Sequence, residues 1–259
     1  MDKLLKRKLE YHYQKFDYSQ IYPDPLIFPH RFKNELDIEI SAFISSIFAY
    51  GNVMQIINSL EKLHKLFGGK PAEFISNFQS KQHKIFFKNF KHRFYTGNDT
   101  IILFEILKSI LSEYGSIKKL FLQHYSNKNE NIKDALSQFS YNIIKIAKRY
   151  GNESRGVRFM FPNPNNGSAC KRMNLFLRWM VRDDELDFGL WKEISTSQLI
   201  IPVDTHVAKI SNKIGLTNRK NVSWKMAEEI TENLKKFDAK DPVKYDFAIC
   251  HIGIRNQQF

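Results

Sequence analysis

The sequence predicts an all-α fold, and three observations predict it. Apolar residues recur at three- and four-residue spacing through most of the chain, the breaks between those stretches are short, and no apolar–polar alternation lasts long enough to build a sheet. At 259 residues the chain can bury a substantial core, either as one large domain or as two lobes.

Taken in order, residues 36–49 carry Leu36, Ile40, Phe43, Ile44, Ile47 and Phe48 on one side. Residues 56–67 repeat the pattern with Ile56, Ile57, Leu60, Leu63 and Phe67. The same period marks helices at 71–78, 82–90, 99–113, 116–124, 132–149, 171–182, 224–236 and 242–252. Between them lie "AYGN", "FGGKP", "TGND", "EYGS" and "SNKNEN", made of residues that turn the chain at low cost. One longer irregular piece, "MFPNPNNGSACK" from Met160 to Lys171, feeds directly into a helix, as loops that carry a tight turn or a ligand contact do. No fixed-period repeat and no low-complexity linker interrupts this order.

Composition narrows the partners. The 40 Lys+Arg residues against 27 Asp+Glu give a net charge of +13, with a pI of about 9.5, which favours a polyanion and nucleic acid first. A lysine- and asparagine-rich proteome gives the same balance, so charge alone does not decide. Hydrophobic residues make up 42% and mean hydropathy is −0.43, which fits a soluble globular protein. No apolar stretch approaches the roughly 18–20 residues of a membrane span, and the N-terminus turns polar too early for a secretory signal, so no membrane partner and a cytoplasmic location are expected. Two cysteines, Cys170 and Cys250, are too few for a cysteine-rich metal site, and the eight histidines show no metal-binding spacing. No metal and no cofactor is expected.

The stretch "LIIPVDTHVAKISNKIGL" sets a carboxylate, Asp204, between an apolar run at Leu199–Val203 and a helix carrying Val207, Ile210 and Ile214 on one face. As an N-cap it contributes typically about 1 kcal/mol. A carboxylate held beside apolar surface at a helix start is also a candidate for acid–base or electrostatic catalysis. Its candidate partner lies upstream. In the helix after the long loop, Met173, Phe176, Leu177, Met180 and Val181 form an apolar stripe, while Lys171, Asn174, Arg178 and Arg182 form a second, basic face able to meet phosphates. Lys171 stands in the first turn, at the positive end of the helix dipole, an unfavourable place for a cation. A lysine that sheds its proton is a nucleophile.

These motifs resemble a known family. "GSACK" followed by a helix, then "PVDTHVAKISNKIGL", is similar to the lysine-bearing hairpin and V-D-T-H motif of the helix-hairpin-helix DNA glycosylases, the superfamily that includes endonuclease III. The whole chain also resembles an uncharacterised bacterial family of that superfamily carrying "DPLIFPHRF", "FAYGN", "GSACKR", "LFLRWMVR" and "LIIPVDTHV". The resemblance implies a two-lobed helix-hairpin-helix fold with a cleft between lobes, one lobe at about 36–182 and the other built from 1–35 with 183–259. It implies base excision with AP lyase activity on double-stranded DNA carrying a damaged base, Lys171 attacking the sugar and Asp204 assisting, by a monomer. Asp204 lies 33 residues after Lys171 because "RDDELDFGLWKEISTSQ" separates the motifs, a spacing similar to the archaeal 8-oxoguanine branch, so an oxidised purine is the favoured substrate. Two departures stand out. Ala169 occupies a hairpin position where the family has a second glycine, which predicts a looser phosphate-binding turn, and the C-terminal iron–sulfur cysteines are absent, so no cluster is implied.

Further candidates follow from the same reading. Gly167, Ser168 and Ala169 of the hairpin, with Arg172, Arg178 and Lys209, are expected at DNA phosphates. Tyr50 or Asn52 of "FAYGN" would fill the gap left by a flipped base, although a turn at Gly51 explains that stretch equally well. Phe188 and Trp191 of the insertion would wall the base pocket, their alternative being core packing. Trp179 and Trp224 are expected in the core rather than as stacking platforms, and His206 is expected to pack or hydrogen-bond at the helix start. A catalytically inactive DNA-binding protein of the same fold and a basic RNA-binding helical protein are the alternatives.

Overall fold

The computed structural model describes residues 3–15, 17–151 and 154–254, the last four by backbone alone. The described chain is mostly helical. Its helices are α1 (Lys3–Lys15), α2 (Glu35–Phe48), α3 (Val53–Leu66), α4 (Pro71–Ser76), α5 (Ser80–Phe87), α6 (Gly97–Tyr114), α7 (Ile117–Leu122), α8 (Lys133–Ala147), α9 (Arg155–Met160), α10 (Lys171–Val181), α11 (Thr205–Lys213), α12 (Trp224–Lys235) and α13 (Asp246–Ile254). The periodicity anticipates most of them within a few residues. It misses α1, whose burial is confined to Leu9, and the short α9. The helix expected at 82–90 stops at Phe87, and the next residues form a two-stranded antiparallel hairpin, β1 (Lys91–His92) and β2 (Tyr95–Thr96). Arg93, in the turn between the strands, has φ 53, left-handed backbone in which a helix cannot continue.

The chain divides into two compact units. One comprises Tyr22–Ser126 with Asp134–Asn163, the other Met1–Ile21 with Asn127–Lys133 and Pro164–Phe259. The boundary differs from the expected one: residues 22–35 belong with the middle segment, and α10 belongs with the C-terminal segment that carries Asp204.

In the middle unit α2 is buried almost all round from Ile38 to Phe48. Its buried Glu39 is satisfied because the backbone N–H groups of Ile117 and Lys118 donate to its carboxylate at 2.8 and 3.1 Å, which caps α7 with a charge of the stabilising sign. Asp99 forms a capping box with Thr96 at the start of α6 and also accepts from Ser154 Oγ. A Cβ at Gly156 would fall 2.5 Å from Asp99 Oδ2, so the absence of a side chain there lets α9 lie against this cap.

In the terminal unit α13 packs on α11 and α1. The run Leu199–Val203 is buried and lies outside any helix or strand. Backbone groups in it and just ahead of it find other partners: Ile201 N–H donates to Thr231 Oγ1 of α12 at 3.1 Å, and the C=O of Gln198, the residue before the run, accepts from Ile132 N–H at 3.2 Å. That tethering delivers Asp204 to the start of α11.

Candidate active site

The turn before α10 is built from its own polar groups. Gly167 (φ 80) closes a short 3₁₀ turn by donating to Pro164 C=O at 2.9 Å, and its C=O accepts from Trp224 N–H at 3.0 Å. Ser168 Oγ accepts from Cys170 N–H at 3.2 Å, and Asn174 Nδ2 donates to Ala169 C=O at 3.1 Å. Apart from Gly167, the left-handed residue of this turn is Cys170 (φ 48), not Ala169. Alanine at 169 is therefore compatible with the turn, and the looseness expected from the missing glycine has no conformational basis. Gly167 is exposed and Ser168 half-buried, whereas the Ala169 side chain is buried. Burial pushes the Cys170 thiol up to about 12, so it stays protonated at neutral pH.

Asp204 divides its carboxylate. Oδ1 accepts from His206 N–H at 2.8 Å and Val207 N–H at 3.0 Å, the N-cap of α11. Oδ2 stands 3.8 Å from Lys171 Nζ, in the first turn of α10, within ion-pair range. The Lys171 and Asp204 side chains are 28% and 25% exposed, so the pair is held by the fold and open to a ligand. An amine that can pass its proton to an adjacent carboxylate is able to attack an electrophilic carbon, and the same carboxylate can then stabilise developing positive charge.

Several expected contacts are placed elsewhere. Arg178 is 3% exposed and spends its guanidinium on Asp246 Oδ2 (2.6 Å) and Asp187 Oδ1 (3.1 Å), so it cannot meet phosphate. Arg172 and Asn174 are buried too, as is Arg182, so beyond Lys171 the predicted basic face of α10 is an interior surface. For Arg178 and Arg182 the cause is the insertion. It folds back along the end of α10, with Phe188, Gly189 and Trp191 N–H groups donating to the carbonyls of Trp179, Arg182 and Met180 at 2.7–2.8 Å. This brings Asp187 onto Arg178 and Arg182. Trp191 is 1% exposed and packs edge-on against Phe176, a core residue rather than a pocket wall. Phe188 is half-buried. Trp179 and Trp224 lie in the core as expected. Lys209 is exposed, and so is His206, which of its two expected roles takes the hydrogen bond at the helix start, through its backbone N–H to Asp204.

Tyr50 and Asn52 belong to the middle unit. Asn52 Oδ1 caps α3 by accepting from Met54 and Gln55 N–H at 3.0 and 3.3 Å. Tyr50 is half-buried in a cluster with Phe159 (5.0 Å, edge-on) and Phe94 (6.2 Å). The Arg93 guanidinium lies 5.1 Å from the Tyr50 ring, and Arg155 lies 5.9 Å from Phe94, itself 51% exposed. The hairpin tip thus adds Arg93 and Phe94, and the start of α9 adds Arg155, to Tyr50, a grouping suited to bases and phosphates. Sequence reading passed over it, although "KNFKHRFYTGN" interleaves cations and aromatic rings with no acid.

Among the described residues no three His, Cys, Asp or Glu side chains group as a metal site, and no helix is long and apolar enough to cross a membrane. Residues 24–255 match the family described as "protein of unknown function (DUF2400)". The chain belongs to this DUF2400 family. No curated protein and no solved structure matches it.

Proposed function

We propose that this DUF2400 protein is a base-excision DNA glycosylase with AP lyase activity, a cytoplasmic monomer acting on double-stranded DNA that carries a damaged base. The observation that carries the reading is the Lys171–Asp204 pair, a lysine and a carboxylate from the first turns of two helices at 3.8 Å, both reachable from solvent. Lys171 Nζ, freed of its proton by Asp204, attacks C1′ of the flipped nucleotide. The bond to the base breaks, its electron pair leaves with the base, and the base takes up the proton that Asp204 had accepted, which leaves Asp204 ionised again. Opening of the sugar ring then gives a Schiff base to Lys171, while ionised Asp204 stabilises the oxocarbenium-like charge at C1′. Gly167, Ser168 and exposed Lys209 remain the phosphate contacts, and the net charge of +13 supports a polyanionic partner.

The deciding experiment is borohydride reduction of the protein mixed with duplex DNA containing an abasic site. A covalent protein–DNA product is expected. DNA binding without any trapped product would favour a non-catalytic DNA-binding protein, and tight binding of RNA in preference to duplex DNA would favour the RNA-binding alternative.

A further inference from the structure

The β1–β2 hairpin of the middle unit is anchored on both sides of its turn. Buried His92 bonds Ser59 Oγ of α3 at 2.9 Å and Tyr50 C=O at 3.1 Å, and buried Tyr95 donates its hydroxyl to Ile47 C=O at 3.2 Å. Arg93 and Phe94, the turn between them, are left outside. Phe159, edge-on at 5.6 Å, and Tyr50 at 6.2 Å hold the Phe94 ring, yet half of the residue stays exposed. The Arg93 and Arg155 guanidiniums stand 5.7 and 5.9 Å from its ring centre, beyond the roughly 3.5–4.0 Å at which carbon atoms pack, so neither closes the ring off. Gly51 makes room for the Arg93 stem, since a Cβ there would fall 3.0 Å from Arg93 Cδ. Among the described residues neither guanidinium has a carboxylate partner. No Asp or Glu occurs between Glu73 and Asp99, a span that also contributes exposed Lys81, Lys84, Lys88 and Lys91.

We propose that Arg93, Phe94 and Arg155 form a binding site for single-stranded nucleic acid, Phe94 stacking an unpaired base and the two guanidiniums meeting the neighbouring phosphates. Every base has a π-face, so an aromatic platform flanked by cations takes a single strand with little regard to sequence. A duplex keeps those faces stacked on one another and offers the ring nothing. Because His92 and Tyr95 fix the hairpin before any ligand arrives, binding costs little ordering of the chain. Tyr50 is half-buried with Arg93 over its ring at 5.1 Å, so it supports the site and does not receive the base. An acidic peptide would match the guanidiniums and leave the ring unused. An anionic membrane would need a broader apolar face than one ring between cations. The site lies wholly in the middle unit, and it does not depend on the lysine chemistry.

The test is binding of a fluorescent oligothymidylate to the full chain, read by anisotropy. Phe94→Ala should weaken binding by roughly five-fold or more, the loss of one stacked base. Phe94→Trp should retain the affinity and Phe94→Leu should not, which separates a ring face from apolar bulk. Arg155→Ala should flatten the salt dependence by roughly one ion. In the wild type, an oligothymidylate carrying 5-iodouracil should crosslink under near-ultraviolet light at Phe94, located by mass spectrometry. That readout decides the matter even if a variant does not fold. Unchanged affinity in Phe94→Ala, or a crosslink confined to other residues, overturns the proposal. So does a Phe94→Ala variant that loses binding to phosphatidylserine vesicles while holding the oligothymidylate, which would assign the ring to a membrane surface. Lys171→Gln should bind the oligothymidylate as the wild type does, so failure to trap abasic DNA would count against the lysine chemistry alone.

Discussion

Lys171 meets only one oxygen of Asp204, because the other is committed to the start of α11. That division makes the two residues separable by mutation. Lys171→Gln keeps a long polar side chain on a quarter-exposed position, so the fold and duplex affinity should be largely retained. Covalent trapping by borohydride should disappear. Trapping at the wild-type level in this variant would remove Lys171 from the mechanism.

Asp204→Asn retains a side-chain oxygen for the His206 and Val207 N–H groups but loses the charge facing Lys171. Asparagine caps a helix about as well as aspartate, so the melting temperature should stay near that of the wild type while base release slows by orders of magnitude. Calorimetry and single-turnover kinetics on the same preparation check this. A large drop in stability with normal turnover in the folded fraction would mean that Asp204 is a cap and nothing more.

The helices were legible because their apolar period is local, and so was the helix start at Asp204, because an apolar run followed by V-D-T-H fixes both burial and cap. The role of Arg178 was not legible from the helix alone. On a wheel it shares a face with Lys171, but a residue's exposure depends on what folds over it, and here the insertion does. One signal was available: Arg178 and Arg182 are followed within ten residues by Asp184 and Asp187, close enough in sequence to fold back as partners. Asp241 and Asp246, about 60 residues further on, complete the cluster by long-range packing that no spacing rule reveals. The aromatic cluster around Tyr50 was hidden for a similar reason, since β1 and β2 bring Phe94 to a residue more than forty positions earlier.

Arg178→Ala follows from that correction. It leaves Asp187 without one partner and Asp246 without its hydrogen-bonded one, both deeply buried, and breaking such a pair typically costs about 3–5 kcal/mol. The variant should melt far below the wild type. In whatever fraction folds, the salt dependence of DNA binding should be unchanged, whereas Lys209→Ala should flatten it by roughly one ion with little effect on stability. A stable Arg178→Ala protein with a shallower salt slope would return Arg178 to the DNA surface.

His64 makes a pH prediction in the middle unit. Its ring is buried, bonded to Ser41 Oγ at 2.8 Å and to Leu60 C=O at 2.9 Å, and burial lowers its pKa to about 4 from the usual 6.5. The folded state therefore binds fewer protons than the unfolded state between those values, and stability falls as the pH drops from about 6.5 towards 4, by on the order of 3 kcal/mol. Asp246 acts with the opposite sign between its ordinary carboxylate value and about 6. Comparing denaturation of the wild type with His64→Gln at each pH cancels that contribution. The difference between the two proteins should narrow on acidification, and a constant difference would show that His64 does not titrate as its burial requires.

The substrate prediction rests on the spacing between the two motifs and on one surviving aromatic residue. Trp191 is packed against Phe176 in the core and cannot line a base pocket, which leaves half-buried Phe188, its backbone fixed by Trp179 C=O, as the flat apolar side chain of the insertion. An oxidised purine loses little pairing strength, so an enzyme selecting it needs a shaped pocket rather than an unstable lesion. Across duplexes carrying 8-oxoguanine, thymine glycol, uracil, hypoxanthine or alkylated adenine, base release should be fastest from 8-oxoguanine. Phe188→Ala should slow release from 8-oxoguanine while sparing borohydride trapping at a preformed abasic site, where no base has to be seated. Trp191→Ala should instead act through stability, with a loss of roughly 3–5 kcal/mol for removing a buried aromatic side chain. Faster release of thymine glycol or alkylated adenine would overturn the substrate while leaving the lysine mechanism in place, and inactivity on every duplex would point to a DNA-binding protein without turnover.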